Sequence, residues 1–92
     1  MNGKVLFGMK DHGVPLPEGS PKIREIYRHY KGDQYQVKLL ALHLNDEEWM
    51  VVYEPLYKNP DAPFFTRPLR EWHDTVEWQG KSIERFTLIS SL

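Results

Sequence analysis

Cysteine is absent from these 92 residues, which excludes disulfides, thiolate metal sites and a cysteine nucleophile. Long apolar runs are absent as well. A secretory signal needs roughly 7–15 consecutive apolar residues and a spanning helix roughly 20, yet the early run Val5-Leu6-Phe7 stops at Gly8. The expectation is a cytoplasmic protein without membrane contact. An excess of one charge is also missing. Lys and Arg number 12 and Asp and Glu 13, for a net charge of −1, so neither a strongly basic nucleic-acid coat nor an acidic tail fits. The length leaves room for one small domain.

The motifs of common chemistries are lacking too. Gly32 and Gly80 stand alone in the body, too sparse to cradle a phosphate. His12, His29, His43 and His73 form no pair at strand or helix spacing, so no metal site is expected and no cofactor is implied. Ser20, Ser82, Ser90 and Ser91 sit on no glycine elbow, which disfavours a serine hydrolase. Asp46-Glu47-Glu48 reads as a solvated turn tip rather than an acid–base pair. No catalytic residue is assigned, and the sequence points to a non-enzymatic protein.

Aromatic residues are abundant at 13%, and eleven of the twelve lie from Tyr27 onward. The first 22 residues hold four of six glycines and three of seven prolines. Such a head buries little apolar surface to offset its ordering entropy. Residues 1–22 are therefore expected to be a flexible segment, with Val14-Pro15-Leu16-Pro17 biased to polyproline conformations. Lys4 to Met9 would be able to add an edge strand.

Residues 23–92 read as a single β domain. Extended segments are expected at Ile23–Tyr30, Tyr35–Leu44, Trp49–Tyr53, Phe64–Arg67, Val76–Trp78 and Ser82–Ile89. Turns fall at Lys31–Gln34, Asn45–Glu48 and Gln79-Gly80, and Pro55 and Pro68 end the strands they follow. In the second segment the apolar alternation becomes continuous after Lys38, which suggests a strand buried on both faces, and Leu44 is expected near Trp49. Leu69 and Trp72 share one side of a single helical turn. The fold class is mainly β: a small, partly open barrel or roll of five to six short strands.

Charge is unevenly placed. Residues 22–43 carry five cations against Glu25 and Asp33, whereas residues 44–63 carry Lys58 against five anions. The first hairpin is thus a basic face able to attract an anion. It also holds Tyr27-Arg28-His29-Tyr30-Lys31-Gly32, where Tyr27 and His29 share one strand face and Arg28 and Tyr30 the other. Aromatic bodies beside cationic tips are able to stack a planar ligand and hold its charge. The same residues also serve as ordinary barrel packing, their stems covering the core.

The ordered set formed by this hexapeptide, Tyr35, Val37, Ala41-Leu42-His43, Val51-Val52-Tyr53, Leu56-Tyr57, Arg67-Pro68-Leu69, Val76 to Gly80-Lys81 and Arg85-Phe86 resembles a bacterial family of small domains, domain of unknown function 1653. The resemblance spans about residues 24–88 and implies a small SH3-type barrel, with no activity assigned. Its pattern concentrates on Tyr27, His29, Tyr30, Lys31, His43, Tyr53, Tyr57, Arg67 and Arg85. We expect several of these to converge on one face. They would bind a planar anionic ligand: a nucleotide, a modified base or a nucleic-acid segment. Tyr27, Tyr30 and Tyr57 would stack on it, Arg67 and Lys31 would take its charge, and His29 would hydrogen-bond it. A protein-contact module, as a monomer or weak homodimer, is the alternative. A small enzyme using His29 or His43 as base ranks below both.

Overall fold

The computed structural model of the chain describes residues 14–91. The edge strand considered at Lys4 to Met9 lies outside the described residues. Among those residues the chain runs β1 (Ile26–His29), β2 (Gln34–His43), β3 (Glu48–Pro55), β4 (Phe65–Pro68), α1 (Leu69–Trp72), β5 (Thr75–Trp78), β6 (Lys81–Glu84) and β7 (Phe86–Ser90). The domain is mainly β and antiparallel, in the order β4-β3-β2-β1-β7, with β5-β6 as a separate two-stranded ribbon. No pairing closes β4 onto β7, so the main sheet stays open.

Turn chemistry sets the hairpins. Gly32 takes φ +111°, and its N–H donates to the His29 carbonyl at 2.7 Å, turning β1 into β2. Gln79 and Gly80 both have positive φ, +52° and +79°, as a two-residue hairpin loop between β5 and β6 requires. The β2–β3 turn closes on the pair His43↔Glu48, with Glu47 at φ +52°. Trp49 therefore faces Leu42, and Leu44 sits on the turn at 78% exposure rather than beside Trp49.

Two further details depart from the sequence reading. The register of β2 against β3 shifts between Val37 and Leu39, a bulge that leaves Lys38 unpaired. Val37 is buried, Leu39 is 45% exposed, and Leu40 takes over as the residue packed on the core. The second half of β2 is thus not buried on both faces. The bulge moves the inward set by one position, which strict alternation cannot anticipate. In addition, Ser82–Ile89 divides at Arg85: β6 pairs with β5, and β7 turns away to pair with β1. That division accounts for the extra strand.

The core is built from rings. Tyr27, Tyr53, Trp72 and Phe86 are buried together with Val37, Val51 and Leu69. Trp72, fully buried, stacks on Phe86 at 4.0 Å and 10°, while Tyr27 and Tyr53 meet it edge-on at 5.3 and 5.1 Å. Leu69 and Trp72 reach this core because one helical turn places i and i+3 on the same side. Pro68, at φ −57°, ends β4 and starts that turn.

The segment Val14–Lys22 crosses the outside of the domain. Trp49 Nε1–H donates to the Val14 and Pro15 carbonyls at 3.2 and 3.1 Å. His73 Nε2 lies 3.0 Å from the Gly19 carbonyl, and Pro21 is buried.

Candidate functional site

The two edges of the open sheet face each other across a cleft of about 600 Å³, lined by His29, Tyr35, Tyr53, Phe65, Arg67 and Phe86 among others. Strand alternation delivers each group. On β4, Thr66 points out while Phe65 and Arg67 point in. On β1, Arg28 is exposed, whereas Tyr27 and His29 face inward. Phe86 opens β7 directly opposite His29.

Arg67 caps the cleft. Its guanidinium lies 5.7 Å from the centre of the Phe86 ring, and Nη1 donates to Glu71 Oε1 at 3.2 Å. Burial opposes its charge, but the Tyr53 hydroxyl and the Glu71 carboxylate outweigh that effect, so its proton affinity is raised above the ordinary value. Its Nε is buried without a hydrogen-bond partner in the protein, as is that of Arg85. Arg85 is held by its backbone: its N–H donates to the Asp74 carbonyl at 2.8 Å, and its carbonyl accepts from Tyr30 N–H at 2.9 Å.

His29 forms one wall. Its ring meets Phe86 edge-on at 5.2 Å and Tyr35 at 6.3 Å. Nδ1 accepts the Lys31 backbone N–H at 3.2 Å, which assigns the imidazole proton to Nε2. Burial, then Arg67, Arg85 and Lys31, push its pKa below the ordinary 6.5. The histidine is therefore a neutral Nε2–H donor at pH 7, in a field set by three nearby cations.

The residues singled out in the sequence divide between this cleft and other places. His29, Tyr53 and Arg67 line it, whereas Lys31 is outside its lining, with Nζ 5.8 Å from the centre of the Tyr30 ring. Tyr27 is 5% exposed, packed on Trp72, with its hydroxyl donating to Glu25 Oε1 at 2.8 Å. It is core and offers no face for stacking. Tyr30 lies behind His29, between that ring at 4.4 Å and Trp78 at 5.1 Å. Tyr57 is exposed and touches the site only through Tyr35, their hydroxyl oxygens 3.0 Å apart. His43 sits at the far end of β2, 3.5 Å from Asp46. Tyr35, Phe65 and Phe86 line the cleft without having been singled out as ligand contacts. The signal for Tyr35 was its alternation with Val37 on the inward face of β2.

The basic and acidic hairpins meet across the sheet through Lys38 and Glu54, 3.4 Å apart. Among the described residues, no three His, Asp or Glu side chains come together as metal ligands, and no helix is long and apolar enough to cross a membrane.

Fold and cleft define a class: a small antiparallel β domain with an aromatic-floored, arginine-capped cleft between its sheet edges. Within that class, the chain belongs to the DUF1653 family, whose model, described as a protein of unknown function, matches residues 25–88. It is similar to the crystal structure of a protein belonging to DUF1653 from Bordetella bronchiseptica. The two share 39% identity and a TM-score of 0.67, over 73% of this chain and 86% of that one. None of the curated proteins matches the chain.

Proposed function

We propose that the protein is a non-enzymatic binding module whose cleft takes a small planar anion, of the size and chemistry of a nucleotide or modified base. The observation that carries this reading is that Arg67 and a neutral His29 line one cleft together with the rings of Tyr35 and Phe65. Tyr35 and Phe65, half-buried in the cleft lining, supply apolar surface to the ring of the ligand. Arg67 and the Nε2–H of His29 supply donors to its charge. A cleft of about 600 Å³ suits a single small molecule, since such sites span about 300–1,000 Å³. A long nucleic-acid strand would need a continuous basic track, whereas Arg67 is the one arginine or lysine among the described residues lining this cleft.

An NMR titration of the full chain with nucleoside monophosphates, and with the matching neutral nucleosides, tests the reading. The charged compounds are expected to shift signals of His29, Arg67 and Phe86, with the neutral ones at least tenfold weaker. Arg67→Gln is expected to weaken binding about 10–100-fold, the range for losing a charge-assisted hydrogen bond. The ligand is expected to be recovered unchanged after prolonged incubation. Absence of shifts in all three residues with every anion would refute the reading, and turnover would replace the binding module by an enzyme.

A further inference from the structure

A second concavity shares no residue with the cleft. It is a groove of about 380 Å³, walled by Trp49, Leu69, Arg70 and His73 from the β2–β3 turn and α1 and by Val14, Pro15 and Pro17 from the segment that crosses beside them. Prolines at 15 and 17 fix their own φ near −65°. Each also keeps the residue before it, Val14 or Leu16, extended. These restrictions bias Val14–Pro17 toward a polyproline helix, whose carbonyls have no partners within the helix. Trp49 supplies the missing donor: its indole N–H is shared between the Val14 and Pro15 carbonyls. This pairing of an indole with a proline-rich backbone is the chemistry by which aromatic grooves read extended peptides.

The hold on the segment is slight. Val14–Pro17 has no strand ladder, Pro15 and Pro17 are exposed, and Leu16 is 47% exposed with its side chain away from the groove. His73 holds the chain again only at Gly19. The segment also lies outside the matched family span, which begins at residue 25. The opposite wall, Trp49, Leu69, Arg70 and His73, lies within that span.

We propose that the Trp49 groove is a recognition site for an extended x-Pro-x-Pro segment of another protein, and that Val14–Pro17 is a resident intramolecular ligand which such a partner displaces. Tethering gives the resident segment an effective concentration on the order of millimolar. A free peptide competes poorly until the resident is weakened.

The test uses the full chain with labelled tryptophan indoles and a synthetic peptide spanning residues 14–20. In the Pro15→Gly/Pro17→Gly variant, whose changes lie outside the core, the peptide is expected to shift the Trp49 indole signal. Its apparent affinity should be at least tenfold tighter than for the unaltered chain. A peptide with both prolines replaced by glycine is expected to leave that signal in place. In Trp49→Phe, binding followed at the Leu69 and His73 amides is expected to fall at least tenfold. No shift in the double variant, or equal shifts from the glycine peptide, would overturn the proposal. So would a concentration-dependent dimer of the unaltered chain that Trp49→Phe abolishes, which would assign the groove to the head of a second copy.

Discussion

Replacing Trp72 separates packing from polarity in the core. The indole is fully buried, stacked on Phe86 and edged by Tyr27 and Tyr53. Burial of about 200 Å² of ring at about 25 cal/mol per Å² corresponds to about 5 kcal/mol. Truncation of such a residue costs about 3–5 kcal/mol. A domain of roughly 80 residues holds only about 4–12 kcal/mol in total, so Trp72→Ala removes from about a quarter to all of it. Phenylalanine acts differently. It keeps a ring against Phe86 and deletes Nε1, which is buried without a hydrogen-bond partner. The lost volume and the relieved polar atom oppose each other, the latter contributing about 1–3 kcal/mol. Tyr27 is not orphaned by the change, because its hydroxyl already donates to Glu25. Trp72→Phe is expected to cost about 1 kcal/mol, and Trp72→Ala at least about 3. Urea denaturation followed by far-ultraviolet circular dichroism, at constant slope, gives both values. A Trp72→Phe loss of about 3 kcal/mol or more, with no relief offsetting the lost volume, would refute the assignment of Nε1 as an unsatisfied group.

The same geometry yields further expectations. Burial, then the bond to Glu25 for Tyr27 and to Tyr57 for Tyr35, raise both hydroxyls above the ordinary pKa of 10.0. Their stabilisation is whole below that pH and is lost as pH rises. In an absorbance titration these two are expected to ionise only with alkaline unfolding. His29 behaves oppositely: its folded-state pKa lies below 6.5, so stability is whole above that value and declines as pH falls below it. His29→Gln is expected to flatten this decline in urea midpoints measured from pH 7 downwards. Gly80 sits at φ +79° with open space where a Cβ would stand, so Gly80→Ala tests backbone strain alone. A loss of about 1–2 kcal/mol is expected, measurable by thermal unfolding.

The hairpins were legible because turns are local. Gly32, the polar run at Asn45–Glu48 and Gln79-Gly80 announce themselves without reference to the rest of the chain. The helical turn was legible because Pro68 and the Leu69–Trp72 spacing are local as well. What escaped depends on pairing. The bulge at Lys38 and the departure of β7 at Arg85 follow from which strand lies alongside, and a single strand carries no mark of its neighbour. The candidate site was legible in kind and only partly in membership. Tyr27, Tyr30 and Tyr57 share a residue type with Tyr53, yet one is core, one backs a cleft wall and one is rim. The extended segment expected at Ile23–Tyr30 carries Tyr27 on one face and Tyr30 on the other, so periodicity does not say which face turns inward. The family resemblance gathered residues from several strands, and the sheet decided which of them meet.

The pairing of β7 with β1 also orders events in time. Phe86, which covers one face of Trp72 and floors the cleft, is made long after Tyr27, and the intervening chain must close as a loop before either is buried. During synthesis the meander β1–β4 emerges first, with the outer edge of β1 unpaired and the indole of Trp72 uncovered on one side. That exposed edge is a template for a strand from a neighbouring nascent chain. The interval before β7 docks on β1 is the window in which this edge is open to misassembly.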